Sequence, residues 1–331
     1  MSDRSAALND WLKKLGYGDY GLSRASEDAS FRSYWRLQAG NSSFVVMDAP
    51  PHKEPCDQFI AVAGKLRAAG LSAPEIIAQD LDQGFLILTD FGSRDYLSQL
   101  GPDSEAPLYA DALSAIIKMQ TCIDADDLPE YDASLLEQEL DLFHDWFLQA
   151  LMGVELGAAQ TDFWLKTRQA LVANALQQPQ VFVHRDFHSR NLMKIDKGNP
   201  GILDFQDAVK GPLSYDPLSL LRDCYIEWPR KRVEQLALDY YELARDRDLL
   251  DVGPEQFMRW FNLMGVQRHL KAIGIFSRLK IRDGKNGYLK DIPRTLGYVR
   301  QVCAGEMSML GLYSLLESLD LNDRVDALRA V

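Results

Sequence analysis

Apolar and polar residues follow two rhythms along this chain. Up to Thr89 short strand-like runs dominate: Phe31 to Leu37, Ser43 to Asp48, Glu75 to Gln79 and Gly84 to Thr89. The Gln38-Ala39-Gly40-Asn41 step reads as the tight turn between the first two, and Pro50-Pro51 ends the second. Two helices interrupt the strands. One is short, Leu8 to Gly16. The other runs from Asp57 to Ala69, with Phe59, Val62, Ala63 and Leu66 at helical spacing and Gly70 suited to its C-terminal cap. After Asp90-Phe91-Gly92 the helical rhythm takes over, across 105–124, 132–153 and 160–177. A β island follows in Val181-Phe182-Val183, Leu192 to Ile195 and Gly201 to Asp204, and helical spacing then runs nearly to the C-terminus. The pattern predicts an α+β chain with a small β-rich lobe over 1–91 and a large helical lobe over 92–331.

Composition narrows the class. The 331 residues are 47% hydrophobic and 25% charged, enough apolar side chain for one large domain or two lobes. No segment approaches the roughly 18 consecutive apolar residues of a membrane helix. Met1-Ser2-Asp3-Arg4-Ser5 lacks the apolar core of a secretory leader, so the expectation is a cytoplasmic protein with no membrane partner. A net charge of −12 offers no basic surface for nucleic acid, although local arginines or a metal could still hold an anion. The four cysteines, Cys56, Cys122, Cys224 and Cys303, show no CxxC spacing, and the five histidines are dispersed, so reduced thiols are expected rather than a zinc site.

The chemistry concentrates in His184-Arg185-Asp186-Phe187-His188-Ser189-Arg190-Asn191 and in Gly201-Ile202-Leu203-Asp204-Phe205. The apolar run before His184 brings Asp186 to the end of a strand, where a rigid scaffold holds functional side chains. A carboxylate there can accept a hydrogen bond from a substrate hydroxyl and take its proton late in the reaction. Asn191 offers a neutral amide oxygen and Asp204 an anionic one, both hard ligands suited to Mg2+ beside the phosphates of ATP. A lone loop aspartate is usually a turn former. It is the order, the spacing and the flanking strands together that point to phosphoryl transfer. His184 is expected to hold the loop rather than to do chemistry. His188 and Arg190 either line an acceptor pocket or face solvent.

His184 to Asn191 with Asp204 resembles the catalytic loop and metal aspartate of the aminoglycoside phosphotransferase and choline kinase-like family, whose fold is bilobal and protein-kinase-like. The resemblance implies Asp186 as catalytic base, Asn191 and Asp204 as magnesium ligands, and Asp216 as the structural brace of the loop. Aspartate as a helix N-cap, with Pro217 in the first turn, suits that last role. It also places Ser30, Phe31 and Arg32 in the phosphate-covering loop, and Thr89, Asp90 and Phe91 at the adenine-binding hinge. Met47-Asp48-Ala49-Pro50-Pro51, Asp204-Phe205-Gln206-Asp207-Ala208 and Leu220-Leu221-Arg222-Asp223-Cys224-Tyr225 resemble a bacterial branch of this family. That branch phosphorylates the anomeric hydroxyl of N-acetylmuramate or N-acetylglucosamine in cell-wall recycling. The implied partner is a small amino sugar, and His188, Arg190, Asp207 and Arg222 are candidates to bind it.

One position departs from the family pattern. Met47 stands where the third strand should carry a lysine, and Asp57 to Ala69 contains no glutamate to pair with one. Either Arg32 or Arg36 supplies the cation, or the chain is a nucleotide-binding pseudokinase. A kinase for another small hydroxyl compound, an aminoglycoside or an amino alcohol, is the alternative within the same chemistry.

Overall fold

The computed structural model describes residues 3–18, 20–26, 31–40, 42–319 and 321–328. The first part of the chain forms α1 (Asp3–Lys14), β1 (Gly21–Ser26), β2 (Ser33–Ala39), β3 (Ser42–Asp48), α2 (Asp57–Ala68), β4 (Ile76–Asp80), β5 (Phe85–Thr89) and α3 (Tyr96–Gln99). Next come α4 (Glu105–Cys122), α5 (Ala133–Leu142), α6 (Ala158–Leu176), β6 (Gln180–Val183), β7 (Leu192–Met193), β8 (Gly201–Ile202), β9 (Val209–Pro212) and α7 (Tyr215–Leu221). The rest is helical: α8 (Arg230–Arg245), α9 (Pro254–Asp283), α10 (Ile292–Cys303), α11 (Leu310–Ser318) and α12 (Asn322–Ala327). The chain divides into two units, Met1–Ala115 with Arg190–Asp207, and Ile116–Ser189 with Ala208–Val331.

The first unit is built on an antiparallel sheet of order β1-β2-β3-β5-β4. β3 and β5 are apolar without alternation because both faces of the central sheet are covered. Val46, Phe85 and Ile87 pack with Leu8, Trp11 and Leu12 of α1, while Met47 and Leu86, directly opposite each other in register, point the other way and are fully buried. Residues 190–207 join this unit through backbone pairing. Ser72 bridges Gly201, Asp95 bridges Met193, and Ile202 N–H donates to Ser72 O at 2.7 Å. Gly201 is required there, since a Cβ would stand 2.8 Å from the Phe91 ring.

The second unit is organised around α9. Pro254 opens this helix at its first turn and Gly284, at φ +68°, closes it. From Phe257 to Leu279 α9 is largely buried, and Leu263, Val266, Leu270 and Ile273 pack in one core with Leu140, Phe143, Leu171, Leu296 and Leu312. Phe143–Leu151 widens into a π-helix directly after α5. α9 passes this junction so closely that a Cβ at Gly274 would meet the Leu142 carbonyl carbon at 2.4 Å.

Candidate active site

In the second unit, Phe182 and Val183 of β6 are fully buried, and Val183 pairs with Val209 of β9, so the strand delivers His184 to a fixed point. His184 is itself fully buried, and its Nδ1 accepts the Asp186 N–H at 3.2 Å. Asp216 lies inside the first turn of α7 and does not cap it. Its Oδ2 accepts from His184 N–H at 2.7 Å and its Oδ1 from Arg185 N–H at 3.1 Å. Burial pushes the Asp216 carboxyl up to about 7 despite these two donors, and the neighbouring Asp186 charge adds to the rise. Arg185, with φ at +74°, sits in the left-handed region that non-glycine residues rarely adopt. The amide pair at Asp216 holds the loop in that conformation.

Asp186 is partly exposed. Burial alone would raise its carboxyl, but Lys271, His188, Arg268 and Arg185 more than offset this, so it stays ionised below the usual aspartate range. Two of these cations are fixed by a residue that sequence reading overlooked, Glu139 of α5. Glu139 accepts from Arg185 Nη2, from the Tyr131 hydroxyl and from Lys271 Nζ, the last at 2.9 Å. Lys271 also donates to Tyr215 Oη at 3.3 Å, and Arg268, one turn earlier on α9, donates to Cys224 Sγ at 3.6 Å. On the other side of the loop Ser189 N–H donates to Asp223 Oδ2 at 2.9 Å, and the His188 ring meets Tyr225 edge-on at 5.3 Å.

In the first unit, β7 and β8 set Asn191 and Asp204 side by side. Leu192 pairs with Ile202, Leu203 N–H donates to Asn191 O at 2.9 Å, and Asn191 Nδ2 donates to Asp204 Oδ2 at 3.1 Å. Asp204 is also left-handed, at φ +61°, and its Oδ1 accepts from Gln206 Nε2 at 2.8 Å. One carboxylate and one amide oxygen suit Mg2+, which keeps waters and takes its remaining ligands from phosphates. Among the described residues no group of three or more His, Cys, Asp or Glu is placed to hold a metal ion.

Of the phosphate-loop positions, Ser30 lies outside the described residues. Phe31 is 62% exposed with Lys53 Nζ 4.3 Å above its ring, and Arg32 is buried in an ion pair with Glu54 Oε2 at 2.9 Å. Arg36 makes a two-pronged pair with Asp90, at 2.6 and 3.1 Å, and Ser43 Oγ and Gly92 N–H also donate to that carboxylate. Burial opposes ionisation of Asp90, yet these bonds hold its carboxyl low. Thr89 closes β5, donating its N–H to Glu75 O and accepting Glu75 N–H on Oγ1. Phe91 lies against Gly201.

Arg190 and Asp207 are exposed in the first unit. Arg222 is buried in the second. Its Nη2 donates to Asn262 Oδ1 at 2.7 Å, its guanidinium lies 5.1 Å over Phe261, and burial lowers its pKa to about 10.

A model of the "phosphotransferase enzyme family" matches residues 21–251. The chain belongs to this family. Members transfer a phosphoryl group, and this phosphotransferase is accordingly an enzyme that acts on a hydroxyl acceptor. Among curated relatives, an N-acetylmuramate/N-acetylglucosamine kinase of Pseudomonas aeruginosa is 45% identical, over 96% of this chain and 98% of its own. Kinases of the same name from Neisseria meningitidis and Caulobacter vibrioides are 40% and 31% identical, each over at least 94% of both chains. The fold is similar to that of a choline kinase from Streptococcus pneumoniae, with a TM-score of 0.63 at 11% identity over 91% of this chain and all of that one. It is also similar to an ADP-bound aminoglycoside phosphotransferase, with a TM-score of 0.60 at 16% identity over 91% and 98%. The bilobal, protein-kinase-like α+β fold read from the sequence is therefore the fold of this phosphotransferase. Among the described residues no helix is long and apolar enough to cross a membrane.

Proposed function

We propose that this phosphotransferase transfers the γ-phosphoryl group of ATP to the anomeric hydroxyl of N-acetylmuramate, N-acetylglucosamine or both. The product is the sugar 1-phosphate, made in the cytoplasm during peptidoglycan recycling. The observation that carries the chemistry is Asp186, partly exposed yet held ionised by Lys271, His188, Arg268 and Arg185. An ionised carboxylate at the end of a braced loop can orient the acceptor hydroxyl and take its proton as the O–P bond forms and ADP leaves. The names of the relatives support the amino-sugar acceptor.

Asn191 and Asp204 would hold Mg2+, which when bound screens the phosphate charge. Thr89, Asp90 and Phe91 would present backbone groups to adenine, with Ser30, Phe31 and Arg32 toward the phosphates. The Arg32–Glu54 pair answers the absence of lysine at Met47: a buried cation tied to an acid just before α2 takes the place of the strand–helix pair. The acceptor candidates are His188 and Arg222 in the second unit and Arg190 and Asp207 in the first. His184 and Asp216 serve the loop's geometry.

A screen of ADP release with Mg-ATP tests this reading. N-acetylmuramate or N-acetylglucosamine should be turned over faster than choline, ethanolamine and aminoglycosides. Turnover confined to one of the latter rejects the amino-sugar reading.

A further inference from the structure

A cavity of about 430 Å3 opens in the second unit, lined by Glu227, Lys290, Arg294, Gly297, Tyr298 and Gln301, with Pro293 at its edge. Four of these lie on one face of α10, at the i, i+3, i+4, i+7 spacing of Arg294, Gly297, Tyr298 and Gln301. Its size is that of a small-molecule pocket. Gly297 lines it without a side chain. Glycine inside a helix costs stability relative to alanine. At Gly274 a close backbone approach demands that cost, whereas a Cβ at Gly297 would meet nothing within 4 Å.

The cavity is built for an anion. Arg294 Nη1 donates to Cys224 O at 2.5 Å and to Asp291 Oδ1 at 3.0 Å, which fixes the guanidinium plane. Its Nε and Nη2 have no hydrogen-bond partner among the described residues, and they form the edge that accepts a carboxylate side-on. Lys290 has no ion-pair partner among the described residues, whereas Arg294 keeps its pair with Asp291. Of the residues lining the cavity one is a carboxylate, Glu227, and Asp291, paired with Arg294, lies beside them. Tyr298 supplies an aromatic wall, its ring stacked on His269 at 5.1 Å.

The wall that carries Glu227 also touches the catalytic loop. Asp223 Oδ2 accepts from Ser189 N–H, Cys224 O accepts from Arg294, and Tyr225 stands edge-on to His188. We infer that this cavity receives the carboxylate-bearing lactyl arm of N-acetylmuramate, with Arg294 and Lys290 as the residues that read it. The inference rests on the amino-sugar reading of the site. N-acetylglucosamine lacks that arm, so the cavity sets the preference between the two acceptors.

The test compares kcat/KM for N-acetylmuramate and N-acetylglucosamine in Arg294→Gln and Gly297→Leu, together with calorimetric titration of each sugar. Gly297→Leu fills the cavity while favouring the helix, so it remains informative if Arg294→Gln folds poorly. In both variants the N-acetylmuramate to N-acetylglucosamine ratio of kcat/KM should fall tenfold or more. A fall of less than threefold, including a parallel loss on both sugars, overturns the inference. If wild type binds N-acetylmuramate but phosphorylates neither sugar, the reaction reading fails, and the cavity then stands or falls on whether the two variants lose that binding. If wild type turns over both sugars and the ratio is unmoved, the cavity inference fails alone.

Discussion

Glu139 is where the stability of the second unit and the chemistry of Asp186 meet. It is 4% exposed and accepts from Arg185, Lys271 and Tyr131. The Lys271 pair at 2.9 Å is worth about 6 kcal/mol of Coulomb attraction at an effective dielectric constant near 20, before the desolvation of both ions is subtracted. Glu139→Gln keeps the shape and one acceptor oxygen but strands two buried cations. Breaking such a pair from one side costs roughly 3–5 kcal/mol. At about 2–4 °C per kcal/mol for a domain of 150–250 residues, the thermal midpoint should fall by roughly 6–20 °C. Adding Lys271→Met to Glu139→Gln removes one stranded charge and should recover part of that loss, a coupling of about 1 kcal/mol or more in a double-mutant cycle. The single variant should also lower kcat, because Lys271 and Arg185 would then turn their full field on Asp186 and weaken it as a base. Calorimetry and steady-state kinetics at one pH read both effects. A midpoint within about 2 °C of wild type, with unchanged kcat, refutes the reasoning, since 3 kcal/mol corresponds to at least about 6 °C.

Three further outcomes are expected. Arg32→Ala and Glu54→Gln should each raise the KM for ATP at least several-fold while leaving the affinity for the sugar within twofold; an unchanged KM for ATP in both removes the pair from the nucleotide site. Asp204→Asn should weaken Mg-ATP binding by tenfold or more in calorimetric titration, and equal affinity contradicts its role as a metal ligand. Asp216 has a folded-state pKa of about 7 against roughly 3.9 when unfolded, so it contributes stability that is full below about pH 4 and is lost as pH rises toward 7. The wild-type midpoint should therefore drop across that window relative to Asp216→Asn, and parallel curves refute the shift.

What could be read in advance depended on range. β3 and β5 were legible because their apolar runs lie between turn formers. β1, Gly-Leu-Ser-Arg-Ala-Ser, was not, because an edge strand pairing only with β2 needs no apolar alternation. β9, Val-Lys-Gly-Pro, was hidden by its glycine and proline. The stretch 132–153 reads as one helix, and the switch to π geometry after Leu142 leaves no mark in the spacing of its apolar residues. At the site, the loop residues are local in sequence and stood out, while Glu139, Lys271 and Glu54 did not. Glu139 and Lys271 have their meaning from partners on other elements, and a single acidic or basic residue on an amphipathic helix looks like solvent face until the fold buries it; Glu54, in the turn before α2, has its meaning from Arg32. Asp216 was expected to brace the loop from a helix start as an N-cap; its carboxylate instead accepts the His184 and Arg185 amides and does not cap its own helix.

The role proposed for Asp186 is to deprotonate the anomeric hydroxyl as it attacks ATP. Phosphorus NMR of the product formed from N-acetylmuramate and Mg-ATP tests it most directly, with wild type and Asp186→Asn run side by side. The expected result is a glycosyl phosphate coupled to the C1 proton in wild type. Asp186→Asn should give at least about a thousandfold less product while its ATP affinity is retained, the loss expected when a positioned base is removed. Phosphate on any other hydroxyl, or near-normal turnover by Asp186→Asn, would contradict the account.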